Sequence, residues 1–144
     1  MVHSYQQNKS DTISTIVEAV NVEALQDALA LRRNVFIQGY LSQDFKTIET
    51  TLADNFRFVN GKAIHNRDSW HEILQNLWQS RDWQSQPLLP DRVRYHFFSL
   101  TECMITLYYK HEATANVMQE LWMQDDSIWY MRYGALSAMS IVNR

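Results

Sequence analysis

The sequence contains few of the residues that form loops, disulfides and zinc sites. It has 3 glycines, 2 prolines and 1 cysteine, so we expect long regular elements rather than a loop-rich fold. The one cysteine, Cys103, excludes an internal disulfide and favours a reducing compartment. Its sequence neighbours are apolar, so we interpret it as an inert core thiol rather than a nucleophile.

Several kinds of functional site also have no counterpart in the sequence. The histidines lack HxH and HxxxH spacing, and one cysteine cannot build a zinc site, so we expect no metal. Three scattered glycines provide no phosphate-binding loop, and we expect no cofactor.

No apolar run approaches the ~20 residues that span a bilayer. A net charge of -3 gives no reason to expect nucleic acid or a membrane as a partner. With no secretory signal at the N-terminus, we expect the cytoplasm.

The first part of the chain is predicted to be helical. We expect residues 21–144 to form a single domain, with residues 1–20 as an N-terminal extension or short helix. Asn21 can cap a second helix, whose apolar stripe runs from Val22 to Tyr40 in steps of three and four. Arg32 lies on this stripe, and we expect it to extend along the margin of the core rather than to be buried with a partner.

The segment from residue 42 to residue 78 carries the clearest local signals. Asp44 is a predicted N-cap of a short helix, and residues 55–60 alternate as a strand with Phe56 and Phe58 on one face. Asn60-Gly61 predicts a tight turn. Asn66 is a predicted cap of a third helix, which carries a wide apolar stripe as far as Trp78.

The second half of the chain is predicted to be a β-meander. Two prolines in residues 84–90 mark a connection. Four β-prone runs follow, at residues 92–98, 101–111, 115–124 and 128–138. Their joints are short, so consecutive strands should pair antiparallel. Both faces of this sheet are apolar, so the helices should cover one face and a second subunit the other, burying Met118 and Trp122 or their opposite-face neighbours.

This order of elements resembles the nuclear transport factor 2-like superfamily, including its SnoaL-like branch. The resemblance rests on QDFKTI at residues 43–48, on LADNF at residues 52–56, and on the turn, cap and helix at residues 60–77. It implies an α+β, cone-shaped, cystatin-like fold, in which N-terminal helices pack in a strongly curved antiparallel sheet. It also implies a pocket at the open end of the cone. The apolar residues on both faces of the sheet predict a homodimer formed through the sheet face.

The family resemblance leaves the function open, because this fold hosts isomerases, dehydratases, cyclases, hydrolases and binding modules. Steroid isomerases of the family use an aspartate base and a tyrosine donor, and these positions fall on Asn60 and Phe36, which cannot fill the roles. Our leading hypothesis is a pocket for a small apolar or aromatic molecule. The alternatives are a non-catalytic assembly subunit that acts through its sheet face, and a lyase, cyclase or hydrolase of the SnoaL-like type. Whether the protein is an enzyme stays open.

The candidate site residues follow from the predicted cone. His65 and Arg132 are the catalytic candidates, and both are also candidate ligand contacts. Arg132 could alternatively form an ion pair with Glu120 across a hairpin turn, because a charge in an apolar strand requires a partner. The predicted ligand-binding residues are Phe36, Phe58, Asn60, His65, Trp70, Arg132 and Tyr133.

Overall fold

The computed structural model describes residues 8–81, 83, 89–111 and 114–140. The helices are α1 (Asn8–Leu41), α2 (Phe45–Glu49) and α3 (Arg67–Trp78). The strands are β1 (Leu52–Asn60), β2 (Ala63–His65), β3 (Arg92–Ser99), β4 (Glu102–His111), β5 (Thr114–Asp125) and β6 (Ile128–Ser140). The predicted α+β class is confirmed. Most of the predicted connection at residues 84–90 lies outside the described residues.

Helix α1 is longer than the sequence pattern predicted. It runs without interruption from Asn8 to Leu41, so the prediction of a new helix start at Asn21 is wrong. An asparagine inside a helix costs less than about 0.7 kcal/mol relative to alanine, and no proline or glycine occurs before Gly39 to interrupt the helix. The division of the chain near residue 20 stays a prediction. None of the helices in the described ranges is both long and apolar enough to span a membrane.

The predicted helix caps at Asp44 and Asn66 are confirmed. The Asp44 carboxylate accepts a hydrogen bond from the Thr47 amide at 3.3 Å and starts α2. The Asn66 side chain accepts from the Ser69 amide at 2.9 Å, while the Asn66 amide donates to Ser69 Oγ at 3.1 Å. This reciprocal capping box fixes the start of α3, and so it fixes where Trp70 enters the core.

In the described part of the chain, six strands form one curved sheet in the order β2-β1-β6-β5-β4-β3. Strands β3 to β6 pair antiparallel, as their short joints predicted. Strand β1 starts at Leu52, earlier than predicted, and pairs parallel with β6. A short strand β2, which we did not predict, pairs with β1 across Gly61, whose φ of 63° glycine adopts at no steric cost.

The core lies between the helices and one face of this sheet. Alternation along β4 buries Cys103, Ile105 and Leu107 on this inner face. Burial then decreases in one direction along the strands. On β4 it falls from Cys103 (0% exposed) to a half-buried Tyr109, and on β5 from Trp122 (0% exposed) to a half-buried Met118. The sheet and helices therefore form a cone with one closed end, at Cys103 and Trp122, and one more open end.

Candidate functional site

The centre of the cone is filled by aromatic side chains around Trp70. The Trp70 ring lies 6.1 Å from Phe36, 6.3 Å from Phe45, 5.0 Å from Phe56 and 5.6 Å from Phe58, measured between ring centroids. Trp70 is 4% exposed, Phe36 6% and Phe58 8%. The structure therefore brings these three predicted ligand-binding residues together in the core, where Phe36 and Phe58 each stack against Trp70.

A charged pair lies on the inner face of the sheet beside this aromatic cluster. Arg33 of α1 donates from Nε and Nη2 to the two carboxylate oxygens of Glu120 on β5, at 2.7 and 2.8 Å. Trp122 Nε1 donates to the same carboxylate at 2.9 Å. The Glu120 side chain is 1% exposed and the Arg33 side chain 18%. A bidentate pair with an added N–H donor is the geometry that best compensates a buried charge.

Tyr95 and Tyr109 interact electrostatically with Arg33, and Tyr40 interacts with Tyr109. Burial raises the pKa of Tyr40, Tyr95 and Tyr109, and the Arg33 charge partly opposes this effect at Tyr95 and Tyr109. All three phenols are therefore protonated at neutral pH and able to donate hydrogen bonds. Burial lowers the pKa of Arg33, but its hydrogen bonds to Glu120 and the Glu120 charge outweigh that effect, so the pKa stays raised. Arg33 is therefore a permanent cation.

Two tryptophans complete the open end of the cone. Tyr40 packs against Trp78 with ring centroids 6.5 Å apart, and against Trp83 at 5.0 Å in an edge-to-face contact. Tyr40 and both tryptophans are half-buried. The open end is therefore lined by aromatic side chains that retain access to solvent, in contrast to the closed packing around Trp70.

Asn60 and His65 lie at the edge of the cone. Phe58 pairs directly with His65 across the β1–β2 hairpin, so His65 is on the inner face of the sheet. Asn60 follows two residues after Phe58 on the same face. His65 is half-buried and Asn60 exposed. Their role as ligand contacts stays a prediction.

Arg132 and Tyr133 lie away from the cone interior. The predicted ion pair between Arg132 and Glu120 is wrong, because Glu120 binds Arg33 and is paired in the sheet with Gly134. A register shift in the β5–β6 ladder leaves Arg132 exposed, and its Nη1 contacts Met123 Sδ at 3.2 Å. Tyr133 pairs with Leu121 on the outer face.

Arg132 lines an open cleft formed by residues of β1, β5 and β6. The cleft has a volume of about 620 Å³, and Leu52, Asp54, Tyr130 and residues 123–125 also line it. It lies where the β1–β6 ladder is interrupted between Leu52 and Arg57. Within the described part of the chain, no group of histidine, cysteine, aspartate and glutamate side chains could hold a metal ion.

Arg33 was not among the predicted site residues, although the sequence carries a signal for it. The core stripe of α1 includes Leu29, Phe36 and Tyr40. Arg33 lies four residues after Leu29 and three residues before Phe36, so its spacing fits this stripe as well as that of Arg32 does. Arg32 instead donates to the backbone carbonyls of Trp129 and Thr50. Glu120 alternates with Met118 and Trp122, and a carboxylate on a core-facing strand position requires a cation.

The chain matches no protein-family model and no curated protein. Solved structures resemble it at low sequence identity. An NTF2-like protein from Cytophaga hutchinsonii has a TM-score of 0.61 at 12% identity, covering 79% of this chain and 98% of its own. A hexachlorocyclohexane dehydrochlorinase from Novosphingobium barchaimii has a TM-score of 0.62 at 11% identity, and the match covers 88% of this chain and 96% of that protein. A ketosteroid isomerase-like protein from Shewanella frigidimarina has a TM-score of 0.61 at 9% identity, and the match covers 78% of this chain and 97% of that protein. The chain therefore has the nuclear transport factor 2-like fold, an α+β cone of the cystatin-like class.

Proposed function

We propose that the open end of the cone binds a small molecule with an apolar or aromatic body. The observation that carries the proposal is the decrease in burial along the inner face, where Tyr109 and Met118 remain half-buried while Leu107 and Trp122 are closed off. Small-molecule sites are concave, mostly apolar and supplied with a few polar groups. The aromatic lining around Tyr40 and the adjacent Arg33–Glu120 pair match this description.

The binding proposal is tested by filling the open end of the cone. Met118→Trp adds bulk to the inner face of β5, while Val117→Trp adds the same bulk to the outer face of the same strand. We expect thermal-shift hits from a panel of small aromatic and terpenoid compounds with the wild type. At a hundredfold excess over its Kd, a ligand specific for the folded state adds about 2.7 kcal/mol of stability.

The matched tryptophan variants then locate the site. Hits should be lost in Met118→Trp and kept in Val117→Trp, provided that both variants unfold cooperatively, since overpacking costs about 1–3 kcal/mol. Asn60→Ala and His65→Ala remove polar groups from the edge of the cone, and both substitutions should weaken ligand binding. Ligands that bind Met118→Trp as tightly as the wild type would place the site elsewhere. If no compound in the panel binds, assembly through the outer face of the sheet is the favoured function.

A second candidate function is assembly through the outer face of the sheet. Met104, Leu121 and Tyr133 occupy register-paired positions across β4, β5 and β6 and leave an apolar row on that face. Trp122 is fully buried in the core and Met118 packs against it, so a homodimer would use these opposite-face neighbours. The filled aromatic cluster around Trp70 also suits a subunit without a ligand.

A lyase, cyclase or hydrolase activity is the third candidate, and the dehydrochlorinase among the structural neighbours motivates it. Such chemistry requires a general base within reach of the bound molecule. Glu120 already accepts three hydrogen bonds from Arg33 and Trp122, so His65 at the rim is the better candidate. His65→Gln should then abolish turnover while retaining ligand binding.

A further inference from the structure

The Arg33–Glu120 pair has donor groups that the pair itself does not use. A guanidinium carries five N–H donors, and the contacts with Glu120 use the Nε donor and one donor on Nη2. Nη1 stays outside the bidentate contact. The Arg33 side chain retains 18% exposure while its partner retains 1%, so the solvent-accessible side of this pair is the arginine side.

The phenols beside Arg33 add further donors. The Arg33 guanidinium interacts electrostatically with both phenols and also hydrogen-bonds to Tyr109, and these interactions lower the pKa of each hydroxyl against the effect of burial. Both side chains are half-buried, and their register positions are on the inner face, with Tyr95 opposite Ile105 and Tyr109 opposite Asn116. A ligand at the open end of the cone would therefore meet guanidinium and phenol N–H and O–H groups together.

The charge of the cluster determines which acceptor suits these donors. Arg33 carries one positive charge and Glu120, held in the bidentate pair, carries the compensating negative charge. A ligand carboxylate bound here would bring a second anion next to Glu120 with no second cation to compensate it, which is costly in a buried site. A neutral oxygen avoids this repulsion.

A carbonyl oxygen fits the cluster better than an alcohol does. A carbonyl accepts up to two hydrogen bonds and has no hydrogen of its own. An alcohol would bring an O–H donor among groups that are mainly donors, and an unpaired buried donor carries a desolvation cost. The complementary head group is thus a ketone, aldehyde, ester or lactone.

We propose that the cone binds a neutral, apolar-bodied carbonyl compound, whose carbonyl oxygen accepts one hydrogen bond from Arg33 and one from the hydroxyl of Tyr109. This inference rests on the proposed binding function and specifies the ligand class of the same site. In this arrangement Glu120 is a positioning residue, because it holds the guanidinium without touching the ligand.

The experiment compares three compounds that share one aromatic body. Acetonaphthone has a neutral carbonyl, ethylnaphthalene has none, and naphthoate has a carboxylate. Their Kd values are measured for the wild type by quenching of tryptophan fluorescence, with isothermal calorimetry as a second readout. Tyr109→Phe removes one hydroxyl from the inner face of β4, and Tyr108→Phe removes the adjacent hydroxyl from the outer face of the same strand as a matched control.

We expect acetonaphthone to bind at least several-fold more tightly than either other compound. Tyr109→Phe should weaken acetonaphthone roughly 2- to 10-fold, the value of one hydrogen bond, and should leave ethylnaphthalene unchanged. Tyr108→Phe should change neither Kd. Equal Kd values for all three compounds, or tightest binding of naphthoate, would overturn the carbonyl inference while leaving the binding proposal intact. If none of the three binds, and the wider panel also gives no hits, the proposed function itself fails.

Discussion

Removal of one member of the Arg33–Glu120 pair should destabilise the protein far more than removal of both. In Arg33→Met, the Glu120 carboxylate stays at a site with 1% side-chain exposure and loses both hydrogen bonds from Arg33. Breaking a buried pair in this way costs about 3–5 kcal/mol. Native domains are stable by only about 5–15 kcal/mol, so the single variant should be close to its limit.

The double variant Arg33→Met/Glu120→Met removes both charges and replaces them with flexible apolar side chains. Replacement of a complete buried pair by apolar residues is often neutral. The remaining cost is the Trp122 indole N–H, which loses its acceptor, at about 1–3 kcal/mol. The double variant should therefore be more stable than the single variant by about 2 kcal/mol, the difference between these two costs.

Urea unfolding followed by far-UV circular dichroism measures both free energies. For a chain of this size each kcal/mol shifts Tm by roughly 3 °C, so Arg33→Met should lower Tm by about 10 °C or more. Arg94→Met, at an exposed position on β3, is the control and should stay within about 0.5 kcal/mol of the wild type. Equal losses in the single and double variants, or a loss below about 1 kcal/mol in Arg33→Met, would refute the assignment of a buried, mutually dependent pair.

Three further predictions concern other parts of the molecule. Burial raises the pKa of Cys103 to about 12, so its thiol should resist alkylation at pH 8 until the protein unfolds, and fast labelling of the native state would contradict this. The same shift makes the stability depend on pH. In the unfolded chain the thiol ionises around its usual pKa of 9.0, whereas in the folded protein it keeps its proton up to about pH 12. The free energy of unfolding should therefore fall as the pH rises from 9 towards 12. Asn66→Ala removes the capping box of α3 and should cost about 1 kcal/mol in urea unfolding, whereas Asn34→Ala within α1 should have little effect. Leu121→Glu on the outer face should convert a homodimer into a monomer in light scattering, and a wild type that is monomeric at every concentration would exclude the sheet-face interface.

The features that sequence predicted are those with local causes. The caps at Asp44 and Asn66, the stripe of α3 and the antiparallel meander all follow from spacings and turn residues within a few positions of one another. The parallel pairing of β1 with β6 depends on contacts between residues about 75 positions apart, such as Phe58 with Gly134, and no local signal specifies it. The continuity of α1 through Asn21 shows that a cap-forming residue does not by itself end a helix.

The candidate site was harder to predict because its members come from distant elements. Arg32 and Arg33 both fit the periodicity of α1, and only the tertiary structure shows that Arg33 reaches Glu120 while Arg32 binds backbone carbonyls. Arg132 has apolar sequence neighbours, which suggested an inward position. The register shift in the β5–β6 ladder instead leaves it on the surface, and irregularities of this kind have no reliable sequence signature.

The infrared carbonyl stretch of bound acetonaphthone tests the central claim most directly, because its frequency falls when the oxygen accepts hydrogen bonds. We predict a frequency below that in a hydrocarbon solvent for the complex with the wild type and with Tyr108→Phe. In Tyr109→Phe, and more fully in Arg33→Met/Glu120→Met, the band should return towards the hydrocarbon value. A bound carbonyl with the hydrocarbon frequency in the wild type, or with one unchanged frequency in all four proteins, would contradict the role of Arg33 and Tyr109 as the anchor of the ligand.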